Sequence, residues 1–184
     1  MNRISHPHSK CIMKFAVLVA IFMLCTVSAV FSTWKTIITT KDEPGEPMVV
    51  TGRVLAPDGK TPAEGIRVHV YHTDAKGYYN PGTTSSQKPR LNGTMVTNEE
   101  GRYEYRTVRP SSYPQSRNPA HVHYVISRKG YAEQYDELEF EGDPFLTEEA
   151  IEKSRKLGTF GVIQKLQRDV DGIWRTVKDI RLKK

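Results

Sequence analysis

Cysteine is absent from most of the chain. Both cysteines, Cys11 and Cys25, lie within the first 29 of 184 residues. The remaining residues therefore cannot supply a cysteine nucleophile, a zinc site with cysteine ligands or an intrachain disulfide. A chain of this length buries most of its apolar surface within one domain, so we expect a core that needs no disulfide.

Positive charge is also modest once the first 29 residues are set aside. The whole chain has 27 Lys and Arg against 21 Asp and Glu, a formal net charge of +6. Three of the basic residues and none of the acidic ones lie in the first 29 positions, which leaves 24 against 21, a net charge of +3. Because nucleic-acid-binding surfaces concentrate basic residues, this small and evenly spread excess argues against a nucleic-acid partner.

Long apolar runs are missing too. The longest uninterrupted one, residues 15–25, has 11 residues, whereas a transmembrane helix needs about 20. Lys14 precedes it, and Val27-Ser28-Ala29 follows at the spacing that a signal peptidase recognises. This pattern predicts a signal peptide over residues 1–29, with an uncleaved N-terminal anchor as the alternative and Met13 as an alternative start. We therefore expect export to the periplasm or the extracellular space, with no membrane contact beyond the leader.

The chain does contain many short alternating segments separated by turn signals. Ile66, Val68 and Val70 fall on one face of an expected strand, because side chains alternate along a strand. The turn signals are clusters of Gly, Pro, Asn and Asp. This pattern predicts an all-β fold, an antiparallel β-sandwich of the transthyretin type. We place it at residues 48–184, after a polar lead-in at residues 30–47.

One short helix is expected in this otherwise all-β domain. It covers residues 147–156, with Thr147 as the N-cap and an acidic first turn. The expected strands lie at residues 49–55, 66–71 and 121–127, in a hairpin over 94–108 with its turn at 98–101, and in a closing hairpin that joins 162–166 to 174–177.

His121 and His123 stand two residues apart on one expected strand. Because alternate residues of a strand face the same way, both imidazoles point to one side while Val122 points to the other. Two neutral imidazoles side by side are a natural half of a metal site. Packed or surface histidines are the alternative interpretation.

Two tyrosines lie in irregular, Gly- and Pro-rich segments, and loops on a rigid sandwich commonly carry function. Tyr79 follows the strand at 66–71, and Tyr113 precedes His121. A phenol binds metal only when a highly charged cation displaces its proton. Two tyrosines and two histidines, without cysteine or convergent carboxylates, favour Fe(III) over Zn, Ca or Mg. For either tyrosine taken alone, an aromatic wedge in a turn is the alternative.

Several segments resemble the intradiol ring-cleavage dioxygenases, the family of protocatechuate 3,4-dioxygenase and catechol 1,2-dioxygenase. Residues 49–79 resemble the opening of the family's catalytic core, and residues 97–114 resemble the segment with its second tyrosine ligand. Pro119-Ala-His-Val-His123 is similar to the family's Pro-Ala-His-Ile-His signature, and Glu141-Gly-Asp-Pro144 to a later part of the core. The resemblance covers roughly residues 48–182.

The resemblance implies a non-haem Fe(III) cofactor with four protein ligands. These would be Tyr79, Tyr113, His121 and His123, with Tyr113 and His123 as the axial pair and a hydroxide beside the other two. A catechol-type diol would chelate the iron, Tyr113 would take one of its protons, and O2 would open the ring between the two hydroxyls to give a muconate-type diacid. The expected partners are therefore a small aromatic diol and O2, and the oligomeric state is left open.

Two positions depart from the family's pattern. The family usually has an arginine directly before Pro-Ala-His, whereas Asn118 stands there in this chain and Arg117 comes one residue earlier. A shift of one residue in extended chain reverses the side-chain direction, so Arg117 serves as a catalytic residue only if a bulge re-aims it. Glu137 stands where the family often has glutamine.

The sequence is compatible with two other functions. Residues 50–54 and 98–103 are also typical of transthyretin-like accessory sandwiches, which bind surfaces and lack the set of two tyrosines and His-x-His. An exported protein that keeps the metal site without catalysis is the second alternative, because Arg117 is displaced from the family's position.

Overall fold

The computed structural model describes residues 33–130 and 132–183, which form eleven strands, one α-helix and a short 3-10 helix. The strands are β1 (Lys35–Ile37), β2 (Pro47–Leu55), β3 (Arg67–His72), β4 (Leu91–Val96), β5 (Arg102–Val108), β6 (His121–Ser127), β7 (Gln134–Phe140), β8 (Ile163–Gln164), β9 (Gln167–Arg168), β10 (Trp174–Val177) and β11 (Ile180–Arg181). Helix α1 spans Glu148–Arg155, and the 3-10 helix spans Gly158–Phe160. The predicted leader, residues 1–29, lies outside the described residues.

The strands form two sheets that pack on a shared core. The six-stranded sheet has the order β1-β5-β2-β10-β9, and β11 also pairs with β2. The five-stranded sheet has the order β4-β3-β6-β7-β8. Val50 and Tyr105 from the first sheet belong to the same buried cluster as Val68 and Val122 from the second. The predicted all-β sandwich with one short helix is therefore confirmed.

Alternation along β6 decides which of its side chains reach that core. Val122, Tyr124 and Ile126 are at most 2% exposed. His121 and His123 are half-buried on the opposite face of the strand. Because β6 lies between β3 and β7 in the middle of its sheet, the two histidines project from the outer face with neighbouring strands on both sides.

The predicted antiparallel arrangement holds among the long strands β2 to β7, but the sheets as a whole are mixed. Parallel pairs join β1 to β5, β10 and β11 to β2, and β8 to β7. These parallel partners are short strands that reach their neighbours through long connections, as parallel pairing requires. Alternation and turn signals indicate the faces of a strand but not its direction, and so the sequence pattern did not distinguish the two arrangements.

The predicted hairpin over residues 94–108 is also wrong. β4 pairs with β3 and β5 pairs with β2, so the two strands lie in different sheets. The tight turn itself does form, because Gly101, at φ +70°, donates its N–H to the Asn98 carbonyl at 2.8 Å. The turn carries the chain from one sheet to the other. Its residues are equally suited to a hairpin and to a corner between two sheets, so they did not distinguish the two.

The two ends of the domain differ in detail from the prediction. β1 lies inside the predicted polar lead-in, residues 30–47, and pairs with β5. At the other end, β10 forms the closing hairpin with Gln167–Arg168. Residues 163–164, which were expected in that hairpin, pair instead with β7 of the other sheet.

The one α-helix begins as predicted. The Thr147 hydroxyl accepts the Ala150 N–H at 3.2 Å, and Glu148 and Glu149 occupy the first turn. Among residues 33–130 and 132–183, no helix has the length and apolar character needed to cross a bilayer.

His72 is a buried histidine with a structural role. Its side chain is fully buried at the end of β3. Its Nδ1–H donates to the Thr73 carbonyl at 2.7 Å, and its Nε2 accepts the Thr107 hydroxyl at 2.7 Å. Burial lowers the pKa of His72 from its ordinary 6.5 to about 4. The side chain is therefore neutral and links β3 to β5 across the core.

Acid should destabilise the fold through His72. The unfolded chain binds a proton at this side chain near pH 6.5, whereas the folded chain does so only near pH 4. The contribution of His72 is therefore complete above pH 6.5 and is lost as the pH falls towards 4, by about 3 kcal/mol at 1.36 kcal/mol per pKa unit. Denaturant unfolding of wild type and His72→Gln at pH 7 and pH 4 should show the difference in stability shrinking by that amount, and equal pH dependence in both proteins would contradict it.

Candidate metal centre

The centre is built on the outer face of β6. The Nε2 atoms of His121 and His123 lie 3.0 Å apart. Tyr71 of β3 stands opposite His123, and its ring stacks on the imidazole with 4.7 Å between the ring centroids. Glu139 and Glu137 of β7 stand opposite His121 and His123, respectively. The central position of β6 thus holds both imidazoles side by side.

Tyr79 reaches the histidines from the loop after β3, residues 73–90, which we name the first loop. The side chain is only 1% exposed. Its backbone is held on both sides, since its N–H donates to the Thr83 carbonyl at 3.1 Å and its carbonyl accepts the Arg90 N–H at 3.0 Å. These bonds fix Tyr79 although it lies outside any strand.

A second loop, residues 109–120, carries Tyr113 and is hydrogen-bonded to the first loop. The Thr73 hydroxyl donates to the Ser111 carbonyl at 2.7 Å, and the Ser111 hydroxyl donates to the Ala75 carbonyl at 2.9 Å. The two tyrosines are 34 residues apart in sequence. A side chain of each loop thus bonds to the backbone of the other loop, and so each loop helps to position the tyrosine of the other.

The four side chains form a closed ring of donor atoms. The Tyr79 and Tyr113 hydroxyl oxygens lie 2.7 Å apart. The Tyr113 oxygen lies 2.9 Å from His121 Nε2, and the Tyr79 oxygen lies 2.8 Å from His123 Nε2. These separations match those of neighbouring ligands around an octahedral ion at ~2.0–2.1 Å. The structure therefore brings together all four predicted ligands, with Tyr113 and His123 at opposite corners.

Acceptors at the Nδ1 atoms, on the side of each imidazole away from the centre, set the tautomer of both histidines. His121 Nδ1 lies 2.7 Å from the Pro119 carbonyl oxygen, and His123 Nδ1 lies 3.2 Å from a Glu137 carboxylate oxygen. Since both partners are acceptors, each Nδ1 carries the proton and each Nε2 presents a lone pair to the centre. The two Nε2 atoms lie 3.0 Å apart, and their lone pairs repel each other unless a cation lies between them. This is the arrangement of metal ligands rather than of packed histidines.

Burial favours the neutral forms of both phenols and of His121 before a metal binds. Desolvation, together with the hydrogen bond between the tyrosines, raises the pKa of Tyr79, and desolvation also raises the pKa of Tyr113. Burial lowers the pKa of His121, although its bond to Pro119 opposes the shift. A neutral imidazole binds metal directly, whereas a phenol gives up its proton only to a cation of high charge. The donor set therefore fits a trivalent ion better than Zn²⁺ or Ca²⁺.

Comparison with known proteins agrees with this donor chemistry. A family model described as "Dioxygenase" matches residues 27–180. The chain is 31% identical over 145 residues to hydroxyquinol 1,2-dioxygenase from Rhizobium sp. (strain MTP-10005), a match that covers 70% of this chain and 46% of that protein. The chain belongs to the intradiol ring-cleavage dioxygenase family. Members of this family use non-haem Fe(III), and the two phenols and two imidazoles of the ring fit that ion.

Other members of the family match only part of their own length. Catechol 1,2-dioxygenase 1 from Acinetobacter lwoffii is 31% identical over 133 residues, which cover 62% of this chain and 42% of that protein. The chain spans about half the length of the curated relatives it matches.

Solved structures of such enzymes share the fold. Catechol 1,2-dioxygenase from Pseudomonas arvilla C-1 aligns with a TM-score of 0.63 and 24% identity over 82% of this chain and 56% of that one. The dioxygenase domain of a dioxygenase carbohydrate-binding protein fusion from Streptomyces sp. SirexAA-E aligns with a TM-score of 0.63 and 20% identity over 80% and 86% of the two chains. At these identities the likeness establishes the fold alone.

Arg117, predicted as a catalytic residue, lies outside the ring. It is exposed in the second loop, and within the described part of the chain no hydrogen bond or ion pair joins it to the four donors. Its catalytic role stays a prediction. Tyr78, the sequence neighbour of Tyr79, lies outside the ring as well.

Glu137 also belongs to this centre, although its place in the sequence indicated no role for it. His121, His123 and Glu137 each offer a ligand atom within 4.8 Å of the others. The carboxylate lies at Nδ1 of His123, behind the ring, so it is a partner of that histidine rather than a fifth donor. The hydrogen bond with His123 lowers the pKa of Glu137. The register of β6 against β7 creates this contact, and alternation within either strand does not reveal a register.

Gly77 sets how closely the two loops approach, and its replacement should open the ring of donors. Gly77 has φ +84°, and a Cβ at this position would lie 2.0 Å from the Ser112 carbonyl oxygen. Gly77→Ala therefore pushes the second loop away and strains the backbone, at a cost of about 2–4 kcal/mol. Thermal unfolding should show the lower stability, and metal titration should show weaker iron binding.

Gly82→Ala is the matched control for this substitution. Gly82 lies in the same loop at φ +75°, but no other described atom comes within 4 Å of an added Cβ. This variant suffers only the backbone strain and should bind iron as the wild type does. If both variants lost iron binding equally, the close approach at Gly77 would not be what holds the tyrosines together.

Proposed function

We propose that this protein is a non-haem Fe(III) dioxygenase that cleaves the ring of a catechol-type diol between its two hydroxyls, adding both atoms of O2 to give a muconate-type diacid. One observation carries the proposal: two phenols and two imidazoles converge in a ring with 2.7–3.0 Å between neighbours. Membership of the intradiol family supports the type of reaction. The names of relatives suggest catechol and hydroxyquinol as the first diols to test.

The roles of the four donors follow from their burial. Ferric iron, when bound, would supply the positive charge that makes both phenols ligands and activates the diol. Tyr79 is almost fully buried, whereas Tyr113 is half-buried in a loop that faces solvent. Once bound iron has displaced its proton, the Tyr113 phenolate would therefore be the base within reach of an entering diol and would take one of the diol's protons. Tyr79, His121 and His123 hold their positions through the bonds described above.

A metal-binding protein without catalysis is the second candidate. Its supporting observation is the exposed position of Arg117, with Asn118 beside it. An aromatic substrate that gains negative charge during cleavage needs a fixed positive group close by. Among the described residues, no lysine or arginine is hydrogen-bonded to any of the four donors. The two candidates agree on iron binding and differ only in whether O2 is consumed.

We also propose that the protein acts outside the cytoplasm, on a diol present in the periplasm or the extracellular space. The leader pattern at residues 1–29 supports this location. The small-molecule partners are then the diol and O2, both small enough to reach a half-buried centre on the outer face of a sheet, and an oligomer of the chain is compatible with this function.

Tyr113→Phe should lose more turnover than iron. The variant keeps three of the four donors, but it lacks both the ligand oxygen and the base that takes the diol's proton. Since a general base contributes about 100- to 10,000-fold, we expect kcat to fall at least ~100-fold while part of the iron is retained. The measurements are iron per chain, the red-brown tyrosinate-to-iron absorption, and O2 uptake with catechol, protocatechuate and hydroxyquinol.

Tyr78→Phe is the matched control, because it removes a hydroxyl from the adjacent residue outside the ring. This variant should keep the iron content, the colour and the turnover of the wild type. If iron-loaded wild type took up no O2 with any of the three diols, the second candidate would replace the first.

Arg117→Ala tests whether this arginine takes part in the reaction. If its guanidinium stabilises charge on the bound ring, its loss should lower kcat by about tenfold or more with little change in KM, because the interaction strengthens in the transition state. Arg53→Ala, which removes an exposed arginine from β2 of the other sheet, should leave both constants unchanged. An unchanged kcat in Arg117→Ala would exclude the arginine from the mechanism.

A further inference from the structure

We propose that Glu137 is a positioning residue that fixes the tautomer of His123 and makes this histidine the stronger imidazole donor, so that the centre prefers ferric over ferrous iron. The inference rests on the proposed iron site and deepens it. It assigns a role to a carboxylate on a neighbouring strand which, in the part of the chain that the structure describes, is hydrogen-bonded to neither Tyr79 nor Tyr113.

The contact follows from sheet geometry. β6 and β7 are antiparallel, and Glu137 stands directly opposite His123 in their register. Directly opposite residues on one face of such a pair come close enough for their side chains to meet. The Glu137 carboxylate oxygen lies 3.2 Å from His123 Nδ1, on the side of the imidazole away from the ring of donors. Tyr71 stacks on the flat face of the same imidazole.

The two histidines are therefore not equivalent. His121 donates its Nδ1–H to the neutral Pro119 carbonyl at 2.7 Å, whereas His123 donates to an anion. A carboxylate behind an imidazole draws the Nδ1 proton towards itself and increases the electron density at Nε2. His123 faces the full negative charge of a carboxylate and His121 only the dipole of a carbonyl, so we expect the larger effect at His123.

Glu137 is free to act on His123 because its charge is not neutralised by a basic side chain. Among the ion pairs of the described residues, its partner is His123. The neighbouring Asp136, by contrast, pairs with the buried Lys178 at 3.0 Å. The Glu137 side chain is 47% exposed, so solvent screens part of its charge.

A more electron-rich donor stabilises the higher oxidation state. Loss of a carboxylate behind a ligating histidine commonly weakens metal binding by about 10- to 100-fold. Because of the solvent exposure of Glu137, we expect the low end of that range for Fe(III) and a smaller loss for Fe(II). The Fe(III)/Fe(II) midpoint potential therefore rises, by at most about 59 mV, the value for a tenfold loss confined to Fe(III).

Two substitutions separate charge from hydrogen bonding. Glu137→Gln keeps an acceptor at Nδ1 but removes the charge, and Glu137→Ala removes both. Glu139→Gln is the matched control, since it removes a carboxylate two residues along the same strand and on the same face, without a bond to either histidine Nδ1.

The first measurement is the iron chemistry of the full chain. In Glu137→Gln the Fe(III) affinity should fall about tenfold, the midpoint potential should rise, and the tyrosinate-to-iron absorption should move to longer wavelength because the iron is easier to reduce. Glu139→Gln should show at most a small part of each change. An unchanged potential in Glu137→Gln, or an equal shift in Glu139→Gln, would overturn the proposal.

The second measurement needs no iron and no activity. In the metal-free protein, ¹⁵N NMR of the histidine rings should show His123 with its proton on Nδ1 in wild type and Glu137→Gln, and a mixture of tautomers in Glu137→Ala. A wild-type His123 with its proton on Nε2 would overturn the proposal outright. Absence of O2 uptake would overturn the proposed function instead and would leave this tautomer result standing.

Discussion

The position of β6 in the middle of the five-stranded sheet is the constraint on which the rest of the centre depends. Its inward side chains, Val122, Tyr124 and Ile126, are locked in the core between the two sheets. Because side chains alternate, this packing leaves His121 and His123 no direction but outward. Strands on both sides then supply the groups that hold the imidazoles, which a strand at the edge of the sheet would lack on one side.

The loops contribute the part of the centre that the sheet does not. Tyr79 and Tyr113 come from separate connections, and neither loop has a regular element of its own at the tyrosine. Hydrogen bonds between the loops, through Thr73 and Ser111, replace the support that a strand would give. Gly77 allows the two backbones to touch. The centre therefore combines two donors fixed by a sheet with two donors fixed by mutual contact between loops.

The electrostatics of the centre suit a highly charged ion. Before metal binding, burial favours the neutral forms of both phenols and of His121, so the protein avoids the cost of holding these charges unpaired out of water. The tyrosines ionise only when a cation is there to compensate for them. The carboxylate of Glu137 lies outside this ring and acts through an imidazole.

The sequence by itself determined the properties that depend on local spacing. Alternation placed the two histidines on one face, Thr147 indicated the start of the helix, and the order of Tyr79, Tyr113 and His-x-His indicated the family. These features could be predicted because side-chain direction and capping depend on residues only a few positions apart. Tertiary structure alone decided the parallel pairs, the corner at Asn98–Gly101 and the contact between Glu137 and His123. Each of these depends on which distant strand lies alongside and in what register, and that is set by the packing of the whole domain rather than by any one segment.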